Sequence, residues 1–585
     1  RASSLLVFLL LSLPALQAQI KITGTVTDGK LPLSGANVKN GSRGVQTDAD
    51  GKFAIKANVG DVLTVTSIGF EKQTIKVGSS NNYNVLLQGS QRTLDEVVIL
   101  GYNQSRKKNE VTGNVAKVSG DVISKVPMVS IDQALQGKVA GLTIAATSGS
   151  PGSSQNIRIR GAQSLFAGNE PLYVIDGIPV VSGNVTGDTN ASSLSILSSL
   201  SSDNIESMTV LKDASATSVY GAAGTNGVIL VTTKRGKSGK TRFSATSTAG
   251  FQNNAVKGLR ALTGAEKQTL LEDAVFNTYG ASNGFTRSQA LNYILNNVPT
   301  GTQTFVDWYN AGSKEYNWSG LMKNTDAPLY SLDINASGGD SKQSFYAALG
   351  YNKTEGTVIG TKFKRITASL NYSNQLTEKV KFSNNLSFSN IDQNAILEQS
   401  AYFANPNLTK YFMTPWANPY NADGTLNIDL AAQGVSVHNT KYLAENNITN
   451  NNLLRFLNNS TISYSIFKNL KFTSSLGLDY SLNAYRNYQN PFHGDGLNYG
   501  GYVEESYDRV FKYVTQNSFD YNFKLKENHK FEAKVLMEYW KTKYQGLYGF
   551  GQELTRPEFQ YINGTSSNWS ASSYYQNAMN LAYLG

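Results

Sequence analysis

The C-terminal two-thirds of the chain alternates between apolar and polar positions. In "SFYAALGYN", Phe345, Ala347, Leu349 and Tyr351 fall on one face. Ser344, Tyr346, Ala348, Gly350 and Asn352 take the other. "RITASLNYS" sets Ile366, Ala368, Leu370 and Tyr372 against Thr367, Ser369, Asn371 and Ser373. "KFTSSLGLDYSLNAY" separates Phe472, Leu476, Leu478, Tyr480 and Leu482 from Thr473, Ser475, Gly477, Asp479 and Asn483. "FDYNFKLKENHKFEAKVLMEY" alternates on both sides of an expected Glu527–Asn528 turn. A period of two held over about ten residues predicts strands with one lipid face and one polar lumen face. A soluble sandwich also alternates, but its strands are shorter and its inner face is richer in Val and Ile. Two long polar stretches, 265–313 and 390–450, interrupt the strands and read as loops. The first carries helical patterning in "AEKQTLLEDAVFNTY", followed by "TFVDWYN". About ten such strands are expected, the last running into the chain end at "NAMNLAYLG". An open sheet leaves an edge unpaired in lipid. The chain therefore reads as the N-terminal fragment of a longer protein, with the rest of a barrel to follow.

Upstream the pattern changes twice. Residues 20–88 give short runs ("KITGTVTD", "LPLSGANVKN", "GVQTDADGKFAIKA", "DVLTVTSIGF", "YNVLLQ") separated by turn residues, which predicts a small β-sandwich. "DADG" (Asp48–Gly51) opens like a calcium loop, but its glycine comes too early and no Glu closes it. A tight Asp-Gly turn is the expectation there. Residues 104–236 mix strands, short helices and Gly-rich loops, an α+β pattern. "SIDQALQGKVAGLTI" predicts a helix capped by Ser130, with Ile131, Ala134 and Leu135 on one side. "VILVTTKRGKSGKT" imitates a phosphate loop, but the pattern requires glycine at position 234, where Lys234 stands. The sequence after it, "RFSATSTAGF", alternates like a strand, so nucleotide binding is excluded.

Composition narrows the chemistry. The 585 residues contain no Cys and three His, with 32 Tyr, 25 Phe and only 16% charged residues. Disulfides and thiolate metal sites are impossible, and His438, His493 and His529 lie far apart in sequence without ligand spacing. No catalytic residues, metal ligands or cofactors are expected, because the usual general base is scarce and no nucleophile–base pairing stands out. The net charge of +10 comes from dispersed residues and no nucleic-acid-binding signature accompanies it, so no nucleic-acid partner is expected. "RASSLLVFLLLSLPALQAQ" reads as a signal peptide over 1–18 with a truncated start.

One stretch poses its own question. "TLDEVVILGYN" (93–103) holds two acids, Asp95 and Glu96, then the β-branched run Val97, Val98 and Ile99, ending at Leu100. It reads as a strand in need of a partner, and the basic run Ser105, Arg106, Lys107 and Lys108 follows it directly.

These motifs resemble the SusC/RagA family of TonB-dependent outer-membrane transporters of Bacteroidota. The carrying residues include "LDEVVILGYN", "ALQGKVAGLTI" with "SGSPG", "IRIRG", "PLYVIDGIPV", "VLKDASATSVYGAAGTNGVILVTTKRG" and, further on, "LDINASGGDSKQSFYAALGY" and "EGTVIGTKFKRITASLNYS". The first segment looks like a carboxypeptidase-regulatory-like extension, on "GTVTD", "LSGANV", "TDADGKF" and "SIGF". The resemblance implies a mainly β protein. A β-sandwich extension at 20–88 comes first, then a TonB-box segment at 93–103 and an α+β plug at 104–236. The first half of an antiparallel transmembrane β-barrel follows at 238–585, in a family whose barrels have roughly 22 strands.

Function follows from the resemblance. Asp95, Glu96, Val97, Val98, Ile99 and Leu100 would pair with TonB as an added strand, Val97 and Ile99 sharing one face. The basic run after them would be solvated linker. A strand of the plug or of the N-terminal domain is the competing reading of this segment. In the plug, Arg158 and Arg160, beside Gly161, are expected to pair with barrel acids and hold the plug in register. Asp176, beside Gly177, reads equally as a turn former or as a functional carboxylate. Lys212 and Asp213 are open in the same way, with a structural role favoured.

The expected activity is TonB-dependent import of a large polar nutrient, oligosaccharide or oligopeptide, across the outer membrane. The implied partners are TonB, with ExbB and ExbD energised by the proton gradient, a SusD-like surface lipoprotein, a glycan or peptide substrate, and outer-membrane lipid. The N-terminal domain would be periplasmic. The alternatives are a lid-free receptor for a small metal chelate or cofactor, and a passive surface barrel, which would need neither plug nor TonB box. Substrate-binding residues are not legible. Loop aromatics such as Trp308, Tyr309, Tyr402, Phe403, Trp416 and Tyr420 could stack on sugar rings, though loop packing is favoured.

Overall fold

The computed structural model describes residues 20–584 apart from 30–31, 42, 68–69, 89–96, 102–103, 108–112, 127, 166–167, 186–191, 257, 399–402, 431–436 and 526–528. The expected signal peptide, Asp95, Glu96, Tyr402 and the Glu527–Asn528 turn lie outside these residues. The chain divides into two compact units, one of residues 1–98 with 106–111 and one of 99–105 with 112–585.

The first unit is a two-sheet sandwich. Its strands are β1 (Ile20–Thr27), β2 (Asn37–Asn40), β3 (Arg43–Gln46), β4 (Lys52–Ala57), β5 (Val62–Thr66), β6 (Gln73–Lys76) and β7 (Asn82–Leu86). They form the sheets β4-β1-β7 and β3-β2-β5-β6. Alternate residues, among them Ile22, Val26, Val38, Ile55, Leu63, Val65 and Val85, point inward and make one apolar core. "DADG" is a turn: the Asp48 carboxylate accepts the N–H groups of Asp50 and Lys52 at 3.0 and 2.8 Å.

Two short strands follow in the chain, β8 (Val97–Gly101) and β9 (Gln104–Lys107), paired as a two-stranded sheet. The basic run was expected to be solvated linker; its first part is instead a strand. The backbone of Val97–Gly101 finds its hydrogen-bonding partner only a few residues downstream.

The plug within the second unit has β10 (Val115–Ser119), β11 (Leu142–Ala146), β12 (Gln155–Ile159), β13 (Leu172–Ile175), β14 (Ile178–Pro179), β15 (Ile205–Leu211) and β16 (Val228–Thr233). Its main sheet runs β10-β15-β16-β13-β14, with β10 at one edge, and β11 and β12 make a separate hairpin. The helix expected over "SIDQALQG" shrinks to a 3₁₀ turn, Gln133–Leu135. Asp132, not Ser130, caps it, accepting the Gln133 N–H. Gly137 and Gly141, both at positive φ, prevent the helix from continuing.

Ten strands complete the unit: β17 (Gly239–Gln252), β18 (Ala327–Gly339), β19 (Gln343–Glu355), β20 (Lys362–Gln375), β21 (Val380–Asn394), β22 (Ile448–Phe467), β23 (Leu470–Gln489), β24 (Tyr502–Leu525), β25 (His529–Leu554) and β26 (Thr565–Leu584). They pair in chain order, all antiparallel, in one sheet whose edges are β17 and β26. The strands run from 13 to 26 residues, longer than the alternating stretches suggested. About ten residues cross a hydrocarbon layer, so such strands extend beyond one. Connections alternate along the sheet. Those at one end are short, at 340–342, 376–379, 468–469 and 526–528. Those at the other end include 253–326, 395–447 and 490–501. The first of the long connections folds into helices, including Gly264–Val275, where Thr263 and Glu266 form a capping box. Gln303–Asn310 follows, burying Phe305, Val306 and Trp308. Trp308 packs at 5.1 Å between ring centroids from Trp416, so these two aromatics serve loop packing. No helix among the described residues is long and apolar enough to cross a membrane.

Candidate functional site

The sheet is inverted relative to a soluble one. On β23, Ser475, Gly477, Asp479, Ser481 and Asn483 are buried, while Leu476 between them is 42% exposed. On β20, Arg365, Thr367 and Asn371 are buried, while Ile366 and Leu370 face outward. Burying polar side chains is costly unless each finds a hydrogen bond. Here the main partner is the plug, although Ser475 meets Thr461 on the neighbouring strand at 2.9 Å and Thr367 Oγ1 finds no partner.

Most of those bonds end on plug carbonyl groups. The Arg365 guanidinium lies within hydrogen-bond distance of the carbonyls of Val129, Ser198 and Leu200, at 2.7 to 3.0 Å. Asn371 donates to Lys234 O and Thr233 Oγ1. Gln393 reaches Pro151 O and Ser193 O. Asn459 donates to Asp176 O, Asn483 to Val185 O and Gln516 to Gly177 O. Amide and guanidinium donors matched mostly to main-chain acceptors hold a loop-rich body, and the plug side chains of Ser199, Ser201, Asn204 and Thr233 add further bonds to the wall. Among the described residues, the wall side chains that join the plug's apolar clusters include Phe363, Ile391 and Leu453 in one and Leu536 in another.

At the centre of the seam lies a buried ion pair. Arg455 donates to both carboxylate oxygens of Asp479, from Nε at 3.0 Å and Nη2 at 2.8 Å. The same guanidinium donates to Ile196 O, Ser199 Oγ and Val181 O, and Asp479 accepts the Val181 N–H at 3.0 Å. Both side chains are almost wholly shielded. The pair is bidentate and its remaining hydrogen-bonding capacity is filled by the plug, the condition under which a buried pair is tolerated.

The residues expected at this seam behave differently. Arg158 pairs with Glu170 at 2.7 Å and Arg160 with Asp213, so both salt bridges lie within the plug and neither reaches a barrel acid. That expectation is corrected: the arginines joining wall and plug, Arg365 and Arg455, come from the wall. Arg158 lies on β12 and Arg160 directly after it, in a hairpin internal to the plug, so both meet plug acids. Gly161 and Gly177 both sit at positive φ. Asp176 forms a turn, at φ 48°, and is also a bracket: its carboxylate accepts from Thr233 N and Thr233 Oγ1 at 3.0 and 2.6 Å. Lys212 Nζ donates to Ala140 O. Asp213 accepts the Asn114 N–H at 2.6 Å, and this bond, with the Arg160 charge, holds its carboxyl below the usual carboxylate range. The strand Val97–Gly101 ends at Gly101, whose φ of 124° favours glycine. A Cβ there would come within 2.6 Å of the Tyr220 hydroxyl.

Sequence reading missed three features. Arg365 and Arg455 were detectable as lone charges on strand faces otherwise made of small polar residues and a few apolar ones such as Phe363 and Leu453. His438 and His493, distant in sequence, are brought to 5.2 Å between ring centroids by two long connections. His493 Nε2 accepts the Asn439 N–H at 2.7 Å, and burial, with His438 beside it, pushes its pKa down to about 4. Its acceptor nitrogen is thereby committed to the backbone. No group of three or more His, Asp or Glu placed to hold a metal occurs among the described residues. The third feature is Asp132 in the plug core, whose carboxyl is pushed up to about 6 by burial.

Known proteins carry the same parts. Residues 22–99 match the CarboxypepD_reg-like domain and residues 107–228 the TonB-dependent Receptor Plug Domain. A TonB-dependent receptor, P26, of Formosa agariphila is 31% identical over 532 residues, covering 89% of this chain and 49% of the relative. The TonB-dependent receptor SusC of Bacteroides thetaiotaomicron is 33% identical over 385 residues, covering 65% of this chain and 35% of SusC. The solved structure of the RagAB peptide importer in its closed-closed state aligns with a TM-score of 0.66 at 25% identity, covering 81% of this chain and 53% of that one. The chain thus spans about half the length of the curated relatives it matches. These relatives are receptors and importers, not enzymes. With a plug of this class bonded to the polar face of an inverted strand sheet, the chain is similar in sequence and fold to TonB-dependent receptors of the SusC/RagA type.

Proposed function

We propose that the protein imports a large polar nutrient, an oligosaccharide or oligopeptide, across the outer membrane, driven by TonB. The observation that carries this reading is the inverted sheet: an apolar outer face suits lipid, and a polar inner face is bonded to a plug. A plug tied mainly through hydrogen bonds to a polar wall can be loosened without exposing a large apolar surface. The segment at 95–100 is the TonB-pairing strand in this reading. TonB adds to, or takes the place of, the local pairing between β8 and β9, and main-chain hydrogen bonds supply the grip. The sheet end with long connections faces the outside, where a SusD-like lipoprotein covers the mouth, and the N-terminal sandwich lies in the periplasm.

The test uses the full-length gene product, extracted from the outer membrane in mild detergent, with its native mass recorded. A stoichiometric lipoprotein partner is expected, and any further bound mass begins to identify glycan or peptide. A lone barrel would overturn the lidded importer in favour of a lid-free receptor for a small chelate.

A further inference from the structure

We propose that Asp213 is a mechanical clamp that sets the load at which the first strand of the plug peels away. The inference rests on the reading that load enters through the segment near Asp95. From there the chain runs to Gly113, where a Cβ would lie 3.0 Å from the Ala216 side chain, and then to Asn114. Asn114 is gripped on both sides of its peptide. Its N–H donates to Asp213 Oδ2 at 2.6 Å, and its carbonyl accepts the Lys212 N–H at 3.3 Å. Asp213 is itself held by Arg160 at the end of the β11–β12 hairpin, and Lys212 Nζ ties to Ala140 O of the segment leading into it. One carboxylate therefore joins the incoming chain, the end of β15 and the neighbouring hairpin.

Beyond the β8–β9 pairing and the packing of Gly101 against Tyr220, topology makes this the first grip of the plug sheet to be loaded. β10 is an edge strand, paired only with β15, and its ladder starts with Val115 opposite Leu211, next to the clamp. Load arriving at Asn114 meets that end of the ladder, so once the clamp yields the pairs open one after another. The hydrogen bonds from the barrel wall described above land on plug residues 129–204 and 233–234, outside Val115–Ser119. The first of them in chain order is Arg365 on Val129 O, at 2.8 Å. Peeling should therefore stop at Val129, leaving the rest of the plug seated. The freed segment is 114–128, which extends to at most about 50 Å.

The clamp is tested by single-molecule force spectroscopy on the full-length protein in a lipid bilayer. The load is applied through a handle just C-terminal to Lys107, so that the β8–β9 pairing is outside its path. No TonB is present, so the outcome is independent of whether TonB captures the segment. The first yielding step should lengthen the chain by no more than about 50 Å. Asp213→Ala should lower its force by about half, because a charge-assisted grip is lost. Asp213→Asn keeps an acceptor for the Asn114 N–H but loses the pair with Arg160, so it should fall between wild type and Asp213→Ala, as should Arg160→Ala. With the handle moved to Gly183, where load reaches the plug through neither Asn114 nor Arg160, Asp213→Ala and wild type should yield alike. An unchanged force at the N-terminal handle would overturn the proposal. So would an equal drop at both handles, which would mean general destabilisation, or a first step long enough to release the whole plug.

Discussion

The N-terminal sandwich and the ten-stranded sheet obey the same alternation and bury opposite halves of it. On β4 of the sandwich, Phe53, Ile55 and Ala57 are inside while Lys52, Ala54 and Lys56 face solvent. On β23 of the sheet, Ser475, Asp479, Ser481 and Asn483 are inside and the leucines between them face out. The hydrophobic effect explains the first arrangement directly. It explains the second only if the outer surroundings are themselves apolar. The difference teaches that periodicity specifies a strand and its two faces, while the surroundings decide which face is the interior.

The comparison can be broken most severely at Arg455. Arg455→Leu strands the Asp479 carboxylate in a buried site and leaves plug carbonyls without their donor, which should loosen plug seating by about 3–5 kcal/mol. Protease susceptibility of the plug in the full-length protein, followed across a denaturant series, reads that loss. Adding Asp479→Leu should recover part of it but not all, since Ile196 O and Val181 O remain unpaired.

A smaller effect separates the two outer faces. Leu349 on β19 and Val62 on β5 are both exposed apolar residues, at 63% and 52%. Leu349→Arg should cost about 2–4 kcal/mol if that face meets lipid near the midplane. Val62→Arg should stay within about 0.5 kcal/mol, as for an ordinary solvent-facing site. Equal costs in refolding titrations would remove the distinction between the two regions.

The interior of the plug supplies the pH dependence. Asp132 is pushed up to about 6 from a usual 3.8, so the folded state holds the proton more tightly than the unfolded state. Its contribution to stability is therefore fully present below the unfolded pKa and is lost as pH rises through about 6. Asp132→Asn should raise plug stability at neutral pH by on the order of 2 kcal/mol and flatten the profile between pH 4 and 7. A profile unchanged by the substitution would show that Asp132 is ionised without penalty.

His493 titrates in the opposite sense. Its folded pKa is depressed to about 4, so its contribution is full above its usual 6.5 and is lost as pH falls through about 4. Hydrogen exchange at the Asn439 amide should accelerate as pH drops through that window, relative to its intrinsic rate. His493→Gln, which retains an acceptor, should abolish the acceleration.

Much of the sheet was legible because local sequence carries it. Phe345, Ala347, Leu349 and Tyr351 need no partner to declare a face, and "AEKQTLLEDAVFNTY" declares a helix by its own spacing. The salt bridges of Arg158 and Arg160 were not legible. Both charges sit in a short motif, but their acids, Glu170 and Asp213, are selected by how the plug hairpin folds back. The same is true of His438 and His493, joined by connections that no local pattern positions. The basic run after Gly101 misled for a different reason. Arg106 and Lys107 have poor strand character, and the pairing is a main-chain matter that side-chain pattern does not report.

The most direct test of the inverted sheet uses the absence of native cysteine in the chain. Single cysteines placed in turn from Ile366 to Leu370, in the full-length protein with any cysteine outside these 585 residues replaced, would carry spin labels in lipid bilayers, read for collision with oxygen and with a water-soluble nickel complex. Labels at Ile366, Ala368 and Leu370 should be oxygen-accessible and shielded from nickel, with Thr367 and Ser369 shielded from both by the plug. Equal nickel access at Ile366, Ala368 and Leu370 would mean that the outer face meets water, and would contradict the account.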